Sequence, residues 1–196
     1  MAKLLYQGHG SLRLISEAGM VIYIDPFIGE GYDIPADLIL VTHQHHDHNQ
    51  IDLPPHKADC VVIQNTDAIQ KGEYQKFVVK EIQVEAVQAY NQKHAKEECV
   101  GYLVFIDGLL LYFAGDTGKT EQMKTLSERK IDYAFLPIDG IYTMNALEAA
   151  ECANLIGAKH TVPIHMAPGK LFDRQTAEGF VTDGAMILEP GKEMEL

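Results

Sequence analysis

The stretch that decides the fold of this chain is His43–His48, which reads His-Gln-His-His-Asp-His and directly follows the apolar run Leu38–Val41. Imidazole nitrogens and carboxylate oxygens are ligands that zinc and similar divalent ions accept, and five of these six residues carry one. A solvent-facing, histidine-rich loop that takes up metal adventitiously is the alternative interpretation. The dense spacing favours a built metal site.

The order of the ligands within this run suits two neighbouring metal sites. Side chains of a strand alternate, so a strand that delivers its last residues here projects His43 and His45 to one side. If the chain then turns into a helix, Asp47 and His48 reach a second position beside the first. His46 is left pointing away, and we interpret it as a spacer.

Length and composition indicate one globular unit. The chain has 196 residues, of which 46% are hydrophobic, so we expect a single domain over residues 1–196 with a substantial core. No apolar run approaches the roughly 18 residues of a membrane span, and the N-terminus lacks the apolar segment of a signal peptide. Cys60, Cys99 and Cys152 are far apart and odd in number, which indicates reduced thiols. We therefore expect a cytoplasmic protein without a membrane partner.

The charge of the chain limits its partners. The formal net charge is −12, and a surface this acidic repels phosphate backbones, which argues against nucleic acid. Two bound divalent ions would add about four positive charges at one spot and so hold an anionic ligand locally. We expect a small-molecule substrate, and an anionic one is compatible with the charge.

Periodicity and turn signals predict a strand-rich chain with few helices. The predicted strands are Lys3–Gln7, Ser11–Ser16, Val21–Asp25, Leu38–Val41, Cys60–Gln64, antiparallel pieces between 77 and 89, Gly101–Ile106, Leu109–Ala114, Tyr133–Leu136, Thr161–Ile164 and Met186–Leu188. The predicted helices are Thr66–Lys71, Thr120–Arg129 and a segment capped by Asn145 and ended by Gly157. This pattern predicts an α/β sandwich of two mixed sheets with helices outside and the candidate ligands at strand ends on one edge.

Further metal ligands are expected elsewhere, because two ions need more donors than the run supplies. His94 is the only histidine between His56 and His160, Asp116 follows a strong strand and a glycine, and His165 ends another strand. Taken alone, each residue has an ordinary alternative. These are a surface-loop histidine, an Asx turn and a core histidine, respectively.

The chain order HxHxDH, then His, then strand-Gly-Asp, then strand-His resembles that of the metallo-β-lactamase superfamily. The nearest similarity is to a small branch of predicted metal-dependent hydrolases related to ascorbate 6-phosphate lactonase. Blocks outside the ligands also resemble this branch, namely Gly8–Ser11, Ala89–Asn91, Tyr112–Thr117, Ile131–Pro137, Tyr142–Met144, Glu148–Ala150 and Pro163–His165.

The resemblance implies a four-layer αββα sandwich with two divalent metal ions at one edge. Zinc is the first choice for a nitrogen-rich site, with manganese or iron as alternatives. By resemblance, Asp116 bridges the two ions. The first ion would be held by His43, His45 and His94, and the second by Asp47, His48 and His165.

The implied activity is hydrolysis of a small ester, lactone or phosphoester by a hydroxide that a dinuclear metal centre activates. Asp47 and Asp116 are the candidate catalytic residues, and His9, Tyr142 and Asp139 are candidate substrate contacts. Asp139 stands where the branch usually has glycine, so its carboxylate would contact either the substrate or a histidine that lies behind the metal ligands. Two alternatives remain, an iron-dependent redox member of the superfamily and a non-catalytic, regulatory metal-binding protein.

Overall fold

Two six-stranded mixed sheets face one another in the computed structural model, which describes residues 1–196. In chain order the elements are β1 (Lys3–Gly8), β2 (Ser11–Ile15), β3 (Val21–Ile24), β4 (Ala36–Leu40), β5 (His56–Ile63), α1 (Asn65–Ala68), β6 (Ile69–Gln70), β7 (Glu73–Tyr74), β8 (Lys76–Val79), β9 (Ile82–Gln88), β10 (Val100–Ile106), β11 (Leu109–Phe113), α2 (Met123–Leu126), β12 (Tyr133–Pro137), α3 (Ala146–Ile156), β13 (His160–Ile164), α4 (Arg174–Glu178) and β14 (Glu193–Glu195).

The first sheet has the strand order β14-β1-β2-β3-β4-β5, and the second has the order β13-β12-β11-β10-β9-β8. Strands β3, β4 and β5 run parallel, as do β11, β12 and β13, while the other pairs in both sheets are antiparallel. The predicted sandwich of two mixed sheets is confirmed.

The main hydrophobic core lies between the sheets and draws on inward-facing residues of both. Leu38 and Leu40 of β4 are fully buried there, with Phe113 of β11. The Tyr102 hydroxyl donates to the carbonyl oxygen of Val41 at 2.9 Å and so ties β10 to the segment after β4. Burying a large apolar side chain contributes about 1.5–3 kcal/mol, and this core fixes the strand ends from which the site is built.

Helix α3 contacts β12 and contributes its apolar residues to the core. The Asn145 side chain accepts a hydrogen bond from the backbone N–H of Glu148 at 2.9 Å, as the sequence predicts, and the helix ends before Gly157. Such a cap stabilises a helix by about 1 kcal/mol. Although α3 is the longest helix, it has only 11 residues, and no helix here has the length and apolar character needed to span a membrane.

Several predicted elements differ from those observed. The segment Thr66–Lys71 forms only the single turn of α1 followed by β6, and Thr120–Arg129 is helical only from Met123 onward. The predicted strand Met186–Leu188 is wrong. The isolated bridge to β13 lies just before this segment, between Ala185 and Thr161, and the edge of β1 is paired instead by β14.

The carboxyl ends of the parallel strands lie at one edge of the sandwich. Because parallel strands end on the same side, the residues that follow them converge there. Asp25 follows β3 and His43 lies just beyond β4 in the first sheet. In the second sheet, Asp116, Asp139 and His165 follow β11, β12 and β13.

Candidate metal centre

The histidine-rich run leaves the first sheet after the wholly buried strand β4. The backbone N–H of His48 donates to the carbonyl oxygen of His45 at 3.0 Å, which closes a turn. His43 and His48 are buried, whereas His45 and His46 are exposed. The His46 ring nitrogen Nδ1 lies 2.9 Å from the side-chain nitrogen of Gln50, away from the predicted ligands, as expected of a spacer.

Three histidines form a first group of potential ligands. Each of His43, His45 and His94 offers a ring nitrogen, and these three atoms lie within 4.8 Å of one another. Nε2 of His43 is 3.1 Å from Nδ1 of His45. The Asn91 side-chain oxygen fixes His94, because it accepts from the His94 backbone N–H at 3.0 Å and lies 3.1 Å from its Nδ1.

A second group brings together Asp47, His48, His165 and also His9, again with one atom of each within 4.8 Å of the others. Nε2 of His165 lies 3.9 Å from Oδ2 of Asp47. His9 differs from the other histidines in this group. Both its ring nitrogens have acceptors at 3.2 Å, the Asp47 carboxylate and the Lys170 carbonyl oxygen.

The Asp116 carboxylate lies between the two groups. Its Oδ2 is 3.4 Å from Nε2 of His94 and 3.9 Å from Nε2 of His43. On the other side, His48 Nε2 is 3.5 Å from Oδ1, and His165 Nε2 is 3.6 Å from Oδ2. The structure thus brings all seven predicted ligands together, with Asp116 between the two groups.

Gly115 allows Asp116 to reach this position. Its φ is +64°, and a Cβ atom there would lie 2.7 Å from the carbonyl oxygen of Val100 and 3.0 Å from Cβ of Thr42. No side chain fits in that space without a shift of the backbone, so glycine permits the close approach of the two sheets at this point.

Asp25 supports one histidine of each group and is a functional residue that the sequence reasoning missed. Its Oδ2 lies 2.8 Å from Nδ1 of His48 and accepts the Thr42 hydroxyl at 2.6 Å. Because that hydroxyl donates to Asp25, its oxygen is left to accept from Nδ1 of His43, 3.0 Å away. Both histidines are thereby oriented with Nδ1 toward the support and Nε2 toward the candidate centre, the orientation that metal-binding histidines need. The sequence signal that points to Asp25 is its position directly after a strand, like that of Asp116.

The second sheet places a comparable carboxylate behind His165. Oδ2 of Asp139 is 3.3 Å from Nδ1 of His165, and the Asp139 side chain is wholly buried. The Asp139 carboxylate therefore lies behind His165 and presents no surface to a substrate. Of the two contacts expected for Asp139, with the substrate or with a histidine, this position favours the histidine. Tyr142, by contrast, is 46% exposed beside the site.

Three of the seven non-glycine residues with positive φ lie at these positions. His9, Asp25 and His165 have φ values of 54°, 46° and 47°, in the left-handed region that non-glycine residues rarely adopt. The backbone N–H of His165 donates to the carbonyl oxygen of His9 at 2.8 Å, and their rings are 3.8 Å apart. Strain of this kind costs about 1–3 kcal/mol per residue and accumulates at functional sites.

Burial and neighbouring charges control the protonation of the histidines. Burial, with the neighbouring His48, His94 and His45, lowers the pKa of His43 far below its usual range, and burial also lowers the pKa of His94. Burial acts in the same direction on His48, but the carboxylates of Asp116 and Asp25 outweigh it and raise its pKa to about 9. His43 and His94 are thus neutral and ready to bind a cation, while the carboxylates draw positive charge toward His48.

The donor set fits divalent cations. Four buried atoms that face the centre have no hydrogen-bond partner, namely Nε2 of His48, His94 and His165 and Oδ1 of Asp116. Leaving a buried polar atom unpaired costs about 1–3 kcal/mol, so a cation that engages these atoms removes several such penalties. Imidazole nitrogens with carboxylate oxygens suit zinc first, and manganese or iron also.

A cavity of about 300 Å³ opens beside the first group. Besides His43, His45 and His94, it is lined by Gln44, Asn65, Lys93, Glu98 and Cys99. Gln44 and Asn65 are joined by a hydrogen bond of 2.8 Å. Lys93 is the one cationic side chain in the lining, and it forms no ion pair within the protein.

Comparison with known proteins gives matches over nearly the whole chain. A family model described as "Beta-lactamase superfamily domain" matches residues 3–165. A "UPF0173 metal-dependent hydrolase" of Thermococcus onnurineus is 30% identical, with all of both chains covered. Another of that name from a Geobacillus species is 33% identical over 99% of this chain and 100% of its own. A solved structure from Parabacteroides distasonis, provisionally assigned as a metal-dependent hydrolase, is 31% identical with a TM-score of 0.78, covering 95% of this chain and 92% of its own.

Proposed function

This chain belongs to the β-lactamase superfamily of metal-dependent hydrolases, and from that premise we propose that it cleaves a small ester, lactone or phosphoester at a dinuclear metal centre. The observation that carries the proposal is the position of the buried Asp116 carboxylate between two groups of potential ligands. One carboxylate with donors on both sides is the arrangement required to join two cations.

His43, His45 and His94 would hold one cation, and Asp47, His48 and His165 the other, with Asp116 shared. Bound divalent ions supply hydroxide at neutral pH and polarise the bond to be cleaved. The chain's own contribution is orientation, because Asp25 holds a histidine of each group from behind.

Of the two carboxylates expected to act in catalysis, only Asp47 reaches solvent. Its side chain is 32% exposed, against 4% for Asp116. Burial acts to raise the pKa of Asp47, but the hydrogen bond from His9 and the charge of His48 hold it well below its usual range. Asp47 is therefore ionised at neutral pH, and because it alone reaches solvent it is the carboxylate positioned to exchange protons with water, while Asp116 has a fixed orienting role.

The cavity beside the first group indicates the size and charge of the substrate. Its volume of about 300 Å³ lies at the lower end of the range for small-molecule pockets. The lining combines the amide groups of Gln44 and Asn65 with the unpaired ammonium group of Lys93. We infer a small substrate with ester or phosphoester oxygens that these groups can bind, and an anionic substituent would find Lys93 as its partner.

Metal analysis combined with a panel of substrates tests this function. Protein purified without an affinity tag should contain two zinc, manganese or iron equivalents, and it should turn over at least one member of a panel of lactones, esters and phosphodiesters. Asp116→Ala should lose most of both the metal and the activity, whereas His46→Gln, altered at the exposed spacer, should keep both. Two metal equivalents and full rate in Asp116→Ala would contradict the bridging role.

The same experiment separates the two alternatives. Iron with charge-transfer bands in the electronic spectrum, together with oxygen consumption and no hydrolysis, would indicate the redox member. Two tightly bound metal ions without turnover across the panel would indicate the regulatory metal-binding protein.

A further inference from the structure

Asp139 closes a tight turn directly after β12. One of its oxygens, Oδ1, accepts four hydrogen bonds of 2.9 Å each. The donors are the backbone N–H groups of Ile141, Tyr142 and Thr143 and the hydroxyl group of Thr143. This oxygen is therefore fully used by the turn, and the orientation of the whole carboxylate is fixed by it.

The other oxygen, Oδ2, faces the candidate metal centre from behind. It lies 3.3 Å from Nδ1 of His165, at ion-pair distance, and neither atom has a hydrogen-bond partner in the structure. The two side chains are at most 2% exposed, so water does not compete for either atom. The opposite ring nitrogen of His165, Nε2, is the one that faces Asp116 and Asp47, at 3.6 Å and 3.9 Å.

This arrangement selects one tautomer of His165. An ionised carboxylate only accepts hydrogen bonds, so Nδ1 of His165 must carry the proton that points toward Asp139. The four hydrogen bonds that Oδ1 accepts stabilise the ionised form of the carboxylate. The lone pair of His165 is then left on Nε2, on the side of the metal centre.

We propose that Asp139 is a positioning residue that fixes His165 as a metal ligand and joins it rigidly to the turn at the rim of the site. The inference rests on the proposed metal centre. Asp139 also connects the metal centre to the residues at the rim of the site. The Tyr142 carbonyl in the turn that Asp139 closes accepts the Asn91 side chain at 2.9 Å, and the Lys93 ammonium lies 5.2 Å from the Tyr142 ring centre.

Asp139→Asn tests the proposal because it replaces the acceptor that faces Nδ1 of His165 with a donor and keeps the size and shape of the side chain. The turn N–H groups require the amide oxygen of the new side chain at the Oδ1 position, so its NH2 group must face Nδ1 of His165. A donor there favours the tautomer protonated on Nε2, which cannot bind a cation. We expect the second zinc equivalent to bind about 10–100-fold more weakly in a competition titration, with an altered visible spectrum of the cobalt-substituted protein.

Thr143→Val is the matched control. It removes one of the four hydrogen bonds to Oδ1 and leaves Oδ2 and His165 untouched. We expect it to lower the melting temperature without weakening the second zinc equivalent. If both variants weaken zinc binding equally, or neither does, the positioning role is contradicted.

Nitrogen-15 NMR of the zinc-loaded protein with its natural sequence gives a second test that does not depend on a variant folding. The proposal requires His165 to be protonated on Nδ1, and a proton on Nε2 would overturn it. The outcomes also separate this inference from the proposed function. A protein that binds fewer than two zinc equivalents contradicts the dinuclear centre and the inference with it. Two tight equivalents in both the natural protein and Asp139→Asn, with identical cobalt spectra, contradict the inference alone.

Discussion

Replacing Gly115 by alanine tests whether close approach of the two sheets places the bridging carboxylate. The new Cβ atom would lie 2.7 Å from the Val100 carbonyl oxygen and 3.0 Å from Cβ of Thr42, and the residue would keep a φ of +64°. The left-handed conformation costs about 1–2 kcal/mol for a non-glycine residue. Overpacking against backbone costs about 1–3 kcal/mol more. We therefore expect a loss of about 3 kcal/mol in the free energy of unfolding.

Gly108→Ala is the matched control, because Gly108 also has a positive φ, +82°, but a Cβ atom there meets nothing within 4 Å. It should lose only the conformational part, about 1 kcal/mol. In thermal unfolding of a chain of this length, these losses correspond to decreases in melting temperature of roughly 6–12 °C for Gly115→Ala and roughly 2–4 °C for Gly108→Ala.

The metal content of the two variants completes the test. Displacing the backbone at Gly115 should move Asp116 and reduce the bound zinc, whereas Gly108→Ala should retain the full complement. Equal melting temperatures for the two variants, or full zinc content in Gly115→Ala, would refute the reasoning.

Three further predictions concern charge and metal. Asp25→Asn should weaken zinc binding about 10–100-fold at both positions by competition titration, whereas a loss confined to one position, or equal to that of the exposed Asp52→Asn, would contradict the shared support. Burial acts to raise the pKa of Asp37, but hydrogen bonds from Lys57 and Lys80 lower it to about 2, so this carboxylate stabilises the fold above about pH 4 and the effect is lost as pH falls toward 2. Urea unfolding of metal-free Asp37→Asn should therefore show a deficit of about 1–2 kcal/mol near neutral pH that shrinks in acid, and a deficit independent of pH would count against it. Zinc at about 100 times its dissociation constant should stabilise the metal-free protein by about 2.7 kcal/mol for each site that it fills, measured in the same assay, and an unchanged midpoint would show that the folded state does not bind it.

Most of the ligand set was accessible from sequence because six of its members lie after a recognisable strand, whereas His94 was selected as the only histidine between His56 and His160. The run after Leu38–Val41 and the Asp116 position after Gly115 both place polar donors where an apolar segment ends. Once two sheets with parallel strand pairs are expected, these ends must meet at one edge, and the structure brings the seven side chains together there.

The supporting carboxylates were harder to assign, because their roles depend on which strands are neighbours. Asp25 reaches His48 only because β3 lies parallel to β4, a pairing between segments separated by a loop of 11 residues, 25 to 35. Asp139 was expected to contact either the substrate or a histidine, and only the folded turn shows its carboxylate wholly buried.

The wrong strand near the C-terminus has a similar cause. Met186–Leu188 is apolar enough to be a strand, but strand formation requires a free neighbouring edge. These residues pack half-buried against the core, and the single bridge to β13 is made by the preceding residue, Ala185. Glu193–Glu195 pairs with the edge of β1 despite its two charged residues. Local pattern does not determine which of two segments finds an edge.

The most direct measurement of the central claim is anomalous X-ray diffraction at the zinc absorption edge from crystals of the zinc-loaded protein. Two peaks on either side of the Asp116 carboxylate, one among His43, His45 and His94 and the other among Asp47, His48 and His165, are the predicted result. A single peak, or peaks remote from Asp116, would contradict a dinuclear centre at this edge of the sandwich.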